Sequence, residues 1–140
     1  VAARGTRIEA VALIDDLVDT PYDLIVLPGG MPGADALGSN EKLIAKLKHQ
    51  KASRRFYGAI CAAPAVALAP HGLLDDVEAT GHPFFTDALP NKQRLEERVV
   101  RDGHCLTSLG PGTALEFALA LVDALCGREK RDEVATPMVI

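Results

Sequence analysis

The stretch FYGAICAAPAVALAP, residues 56–70, sets one thiol between a strand-like half and a helix-like half. A cysteine at such a joint can serve as a nucleophile. Its neighbours Gly58, Ala59, Ala62 and Ala63 are small, so a sharp turn can lift the Cys61 sulfur out of a sheet, as a nucleophile elbow does for a serine. Orphan N–H groups at the start of the following helix favour the thiolate. The Ala62 N–H would face an oxyanion formed on a substrate. Taken alone, the stretch also fits a small structural cysteine at an Ala-rich joint, the commoner case for a buried cysteine.

Two further features have the right type and placement to join it. Gly29-Gly30 follows the apolar run DLIVLP, and glycines there let a backbone N–H approach a ligand closely enough to serve as a second oxyanion donor; a plain glycine turn is the alternative. His82 stands just past VEAT and could move protons for Cys61, although a single histidine is a weak signal beside His49, His71 and His104. His71 is placed to complement a helix C-terminus. SLGPGTALEF offers either a capped helix start or an anion site, and the helix dipole accounts for Glu116 in its first turn. No metal-ligand spacing, P-loop or G-x-G-x-x-G is present.

The elements that must position these residues alternate. DLIVLPGG (23–30) reads as a buried parallel strand and SNEKLIAKLKHQ (39–50) as an amphipathic helix with Leu43, Ile44 and Leu47 inward and Ser39 or Asn40 at its N-cap. RFYGAI is the next strand and AAPAVALAP the next helix, with Pro64 in its first turn. VEAT (77–80) reads as a brief strand, 84–93 as loop, and RVVRDGHCLTS (98–108) as a hairpin turning at Asp102-Gly103. The helix ALEFALALVDALC presents Leu115, Ala118, Leu119, Val122 and Leu125 as an apolar stripe, with Thr113 or Gly112 at its start and Gly127 at its end. The tail VATPMVI reads as extended. RIEAVALIDDL fits a strand followed by a helix. The pattern predicts an α/β sandwich with a mostly parallel sheet, in one domain over 1–140.

Bulk composition narrows the partners. Hydrophobic residues make up 48% of 140, aromatics 4%, and the net charge is −4. A packed core of Ala, Val, Leu and Ile is implied, and nucleic acid and anionic membranes are disfavoured. Cys61, Cys105 and Cys126 are too few and too widely spaced for a disulfide framework or zinc ribbon, which points to a reducing, cytoplasmic compartment. Cys105 and Cys126 read as structural.

In order, DLIVLPGG, YGAICAAPAVALAPHGLL, ATGHP and LTSLGPGTALEFALALVDALCGREK resemble the DJ-one/ThiJ/PfpI superfamily, in its Parkinsonism-associated branch. The resemblance implies a flavodoxin-like three-layer fold and usually a homodimer. It assigns Cys61 as the nucleophile, His82 as the histidine beside it, and Gly30 and Ala62 as oxyanion-hole positions, with Gly29 in support. It implies no cofactor and no metal. Members act as glyoxalases or deglycases on dicarbonyls such as glyoxal and methylglyoxal, or as oxidation sensors and chaperones. Some are connected to thiazole monophosphate synthesis, which nothing in these residues supports.

Two departures stand out. Leu109 replaces the arginine of TSRGPGT. The family's opening strand–helix–strand, with a glutamate that hydrogen-bonds the cysteine, has no counterpart, and the chain opens Val1-Ala2-Ala3. The resemblance thus implies the C-terminal three quarters of the family domain, completed by an N-terminal fragment of about fifty residues as a nicked piece or separate chain. Three activities are expected in order: a dicarbonyl-directed enzyme, a redox sensor acting through Cys61, and an amidotransferase- or peptidase-like hydrolase. The third ranks last because no His-x-Glu follows His104.

Overall fold

The computed structural model describes residues 5–140; Val1-Ala2-Ala3 lies outside them. Among the described residues, four strands form one sheet: β1 (Leu24–Leu27), β2 (Phe56–Ile60), β3 (Val99–Asp102) and β4 (Cys105–Ser108), in the order β1-β2-β4-β3. β1, β2 and β4 run parallel, with Ile25 opposite Tyr57 and Tyr57 opposite Cys105; only β3 is antiparallel. The predicted mixed α/β fold with a mostly parallel sheet is present. Its parallel strands deliver three carboxyl ends, at Leu27, Ile60 and Ser108, to one edge.

Alternation along the strands gives the sheet two unequal faces. One carries Leu27, Tyr57, Ala59, Val100, Cys105 and Thr107, all buried. It packs on α2 (Glu41–Ala52), whose Leu43, Ile44 and Leu47 are buried as predicted. Asn40 is the N-cap, its Oδ1 accepting from the Leu43 N–H at 2.9 Å. Tyr57 satisfies its buried hydroxyl by donating to the Leu73 carbonyl at 2.8 Å. The other face buries Gly58, Leu106 and Ser108 at its centre but leaves Leu24, Val26, Phe56 and Ile60 half-buried. It meets α3 (Ala114–Cys126), from which only Phe117 is buried.

Several expectations are corrected here. The apolar stripe on α3 is only partly covered: Leu115 and Leu125 are exposed, because periodicity marks an apolar face without supplying its cover. VEAT is not a strand. Two of its amides are taken by side chains instead of a ladder, Glu78 N–H donating to Asp102 Oδ2 and Thr80 N–H to Thr107 Oγ1. The hairpin turns one residue later than read, at Gly103-His104, because Asp102 pairs with Cys105. RIEAVALIDDL holds only a 3₁₀ turn at Ile14–Asp16. The C-terminal tail is helical, with α4 (Arg128–Ala135) and a 3₁₀ turn at Thr136–Met138. Ion pairs such as Lys130–Glu133 at 2.7 Å line α4 on a sequence without an apolar stripe. A short α1 (Gly33–Gly38) follows β1, in a stretch whose glycines and lack of apolar period give no helix signal. Its last carbonyl is held by His71 Nε2 at 2.8 Å, so His71 serves a helix C-terminus, as expected, but that of α1.

No described helix is long and apolar enough to cross a membrane.

Candidate functional site

The site lies where the three parallel carboxyl ends meet. Cys61 follows β2 directly and has φ +67°, one of three non-glycine residues with positive φ among those described. A left-handed conformation costs a residue with a Cβ roughly 1–2 kcal/mol, so it persists only where the surroundings impose it. Two hydrogen bonds do so. The Cys61 N–H donates to the Ser108 carbonyl at 3.0 Å, and the Cys61 carbonyl accepts from the His82 N–H at 2.8 Å. The elbow is thereby clamped between β4 and the 81–83 segment.

The following helix is irregular, a π-helical turn over Pro64–Leu68 that tightens into a 3₁₀ turn over Ala69–His71. Pro64 opens it as read, and Gly72, with φ +72°, ends it.

Glycines crowd the thiol. A Cβ on Gly29 would stand 2.4 Å from the Cys61 Cβ and 3.1 Å from its Sγ, so only glycine fits there. Gly30 has φ +87°. Among the described residues neither the Gly30 N–H nor the Ala62 N–H donates a hydrogen bond. Both are therefore available to a developing oxyanion.

His82 completes the cluster. A Cβ on Gly110 would lie 3.6 Å from the His82 ring and 4.0 Å from Cys61 Sγ, so ring and sulfur face the same glycine. His82 Nδ1 accepts from the Phe84 N–H at 3.3 Å. An accepting Nδ1 leaves the proton of the neutral imidazole on Nε2. Phe84 and Phe85 stack edge-on against the ring, with centroids at 5.0 and 6.0 Å.

All five sequence-derived residues, Cys61, His82, Gly29, Gly30 and Ala62, thus lie on segments that converge. Ser108, Gly81, Gly110 and Thr113 were missed as supports. Buried Thr113 Oγ1 contacts Ser108 Oγ at 2.6 Å and accepts from the Gly110 N–H at 3.1 Å. That network occupies an amide that the anion-site reading of SLGPGT left free. The GPGT string was its only sequence signal. Glu116 is bound by the Arg98 guanidinium, which holds its carboxyl below the usual range.

The other thiols differ. Cys105 is buried against Tyr57, and burial pushes it up to about 12. Cys126 is exposed at the end of α3. Among the described residues no group of three or more His, Cys, Asp or Glu side chains is placed to hold a metal ion. A 610 Å³ cavity between α1, α2 and His71 does not include Cys61.

Comparison with known proteins fits this arrangement. The DJ-1/PfpI family model matches residues 1–124. Protein DJ-1 homolog B of Arabidopsis thaliana is 50% identical over 93% of this chain and 30% of its own length. A Caenorhabditis elegans protein named a glutathione-independent glyoxalase is 36% identical over 99% of this chain and 74% of its own. The structure of an oxidized DJ-1 from Toxoplasma gondii superposes with a TM-score of 0.93 at 40% identity, covering 97% of this chain and 74% of that one. The chain spans about a third of the length of the two Arabidopsis relatives it matches. With a sheet flavodoxin-like in its parallel core and a cysteine on a clamped turn at its carboxyl edge, the chain belongs to the DJ-1/PfpI family.

Proposed function

We propose that the protein is a cysteine-dependent catalyst of the glyoxalase or deglycase type, acting on reactive dicarbonyls with water as sole co-reactant. The observation that carries this reading is the strained, doubly clamped Cys61 beside two unengaged N–H groups and His82. A relative named a glyoxalase supports it.

The steps balance without an external redox partner. Cys61 thiolate adds to the aldehyde carbon of methylglyoxal, and the carbonyl electron pair moves to oxygen. The Gly30 and Ala62 N–H groups hold that oxyanion, which takes a proton to give a hemithioacetal. The proton on the former aldehyde carbon is removed and one is delivered to the ketone carbon through an enediol, with His82 as the shuttle in the tautomer that gives up the Phe84 bond, carries its own proton on Nδ1 and leaves Nε2 free to accept. The aldehyde carbon is oxidised to a thioester as the ketone carbon is reduced to an alcohol. Water then cleaves the thioester, giving lactate and the free thiol. The test is lactate formation from methylglyoxal by the wild type and by Cys61→Ala. Equal rates would refute the reading.

A second reading is favoured by one finding, the oxidized state named for the Toxoplasma neighbour. Here Cys61 is a sensor, oxidised by peroxide to sulfenate and then sulfinate. Peroxide titration with mass analysis of the Cys61 peptide, in a protein that turns over no dicarbonyl, would favour it.

In either reading we propose that a strand from outside the described residues pairs along the free edge of β1 and that the completed domain is a homodimer. Support comes from that unpaired edge, the half-buried Leu24 and Val26, and a 280 Å³ apolar cleft lined by Ile14, Leu17, Tyr22, Leu24 and Leu43. Native and denaturing masses of one sample test both points.

A further inference from the structure

Among the described residues, four segments meet at Cys61: 28–32, 59–63, 81–85 and 108–112. None contains Asp, Glu, Lys or Arg. Apart from His82, the large exposed or half-buried side chains they carry, Met31, Phe84 and Leu109 among them, are apolar. Met31 follows the oxyanion glycine and is 47% exposed. Phe84 is 89% exposed although its ring packs edge-on against His82 at 5.0 Å. Leu109 is half-buried and precedes Gly110, the glycine that faces both Cys61 and His82.

Arg98 holds the 108–112 segment at two points, its carbonyl accepting from the Ser108 hydroxyl at 2.7 Å and its guanidinium donating to the Gly112 carbonyl at 2.8 Å. The same guanidinium is engaged by both Glu116 oxygens at 2.8 and 2.9 Å, so its charge is already paired.

An aromatic ring left in water beside a polar imidazole is costly to hydrate and gains by being covered. An anionic substituent on the substrate would meet no opposing charge on these segments and would lose hydration. We infer that Met31, Phe84 and Leu109 form a specificity-determining mouth that selects 2-oxoaldehydes with an aryl or branched alkyl substituent and rejects those with a carboxylate. The inference rests on the proposed catalytic reading for the identity of the electrophile and on the mouth alone for its selectivity.

The test therefore has two independent arms. In the first, Cys61 is alkylated by N-phenyliodoacetamide and by iodoacetate, each rate read by mass spectrometry of the Cys61 peptide and normalised to N-acetylcysteine. The normalised preference for the phenyl reagent is expected to be about tenfold, the size that follows from covering part of one aromatic ring. Phe84→Ala should lower it several-fold, and Leu109→Arg should shift it toward iodoacetate. In the second arm, kcat/KM for phenylglyoxal should exceed that for 4-carboxyphenylglyoxal, with Leu109→Arg narrowing the gap. Reagent preferences equal to those of the free thiol in wild type and both variants would overturn the inference. Labelling selectivity without methylglyoxal turnover would sink the catalytic reading and leave the mouth assigned; turnover without selectivity would do the reverse.

Discussion

The backbone N–H of His82 donates to the carbonyl of Cys61 at 2.8 Å, so the segment that carries the imidazole is also the one that holds the thiol's own peptide in place. Gly81 adjoins this bond, and a Cβ there would stand 3.2 Å from the Cys61 oxygen. Gly81→Ala should push on that carbonyl and displace both groups together. We expect a several-fold slower alkylation of Cys61 with a stability loss of only about 1 kcal/mol. Unchanged alkylation would show that the clamp does not govern the thiol.

Gly29 is the more severe position. Its missing Cβ would lie 2.7 Å from the Ile60 carbonyl as well as against Cys61. Gly29→Ala is expected to cost about 1–3 kcal/mol, as overpacking does, and to abolish selective labelling of Cys61. Denaturant midpoints and peptide mass analysis on one preparation would show both.

Strain at Cys61 can be weighed by comparing two inactive variants. Cys61→Ala keeps a Cβ at φ +67° and Cys61→Gly does not. The glycine variant should be the more stable by about 1 kcal/mol, the left-handed penalty less glycine's greater entropy in the unfolded chain. An alanine variant more stable than the glycine variant would mean the turn is relaxed.

Thr113→Val removes a hydroxyl that contacts Ser108 and accepts from Gly110. The buried Gly110 amide loses its partner, at a cost of about 1–3 kcal/mol. Because Gly110 abuts both His82 and Cys61, Cys61 labelling should slow as well. Thr113→Ser should restore both quantities.

Alkaline stability should depend on Cys105. Burial raises its folded pKa from 9.0 to about 12. The unfolded state therefore loses its proton first, so the contribution is whole below about pH 9 and declines as pH rises toward 12. Tyr57 is raised in the same direction, also chiefly by burial. In urea titrations from pH 8 to 11, Cys105→Ala should show a shallower decline than the wild type. Identical slopes would count against a buried thiol as the cause.

What the sequence disclosed follows how local each signal was. The Cys61 elbow was legible because its small neighbours are adjacent in sequence, and the α2 cap was narrowed to Ser39 or Asn40 because Asn40 lies three residues from the amide it holds. The carbonyl of Ser108 and the amide of His82 carry no side-chain signature of their role, and both act across long sequence separations. The Asp102-Gly103 pair drew the turn to a favoured dipeptide, while pairing of Asp102 with Cys105 moved it by one residue. Tertiary pairing overrode local preference there, as it did when Thr107 took the amide of Thr80.

The groups around the thiol come from positions scattered between Gly29 and Gly110, and no two adjoining turns of chain can assemble them. Contacts this remote in sequence are closed late in folding, after the loop entropy between them has been overcome. A partly folded chain would therefore carry a cysteine with no special chemistry, and the privileged reactivity of Cys61 should arise in the same kinetic phase as the joining of β1, β2 and β4. The rate at which that reactivity appears during refolding becomes a direct clock for closure of the sheet.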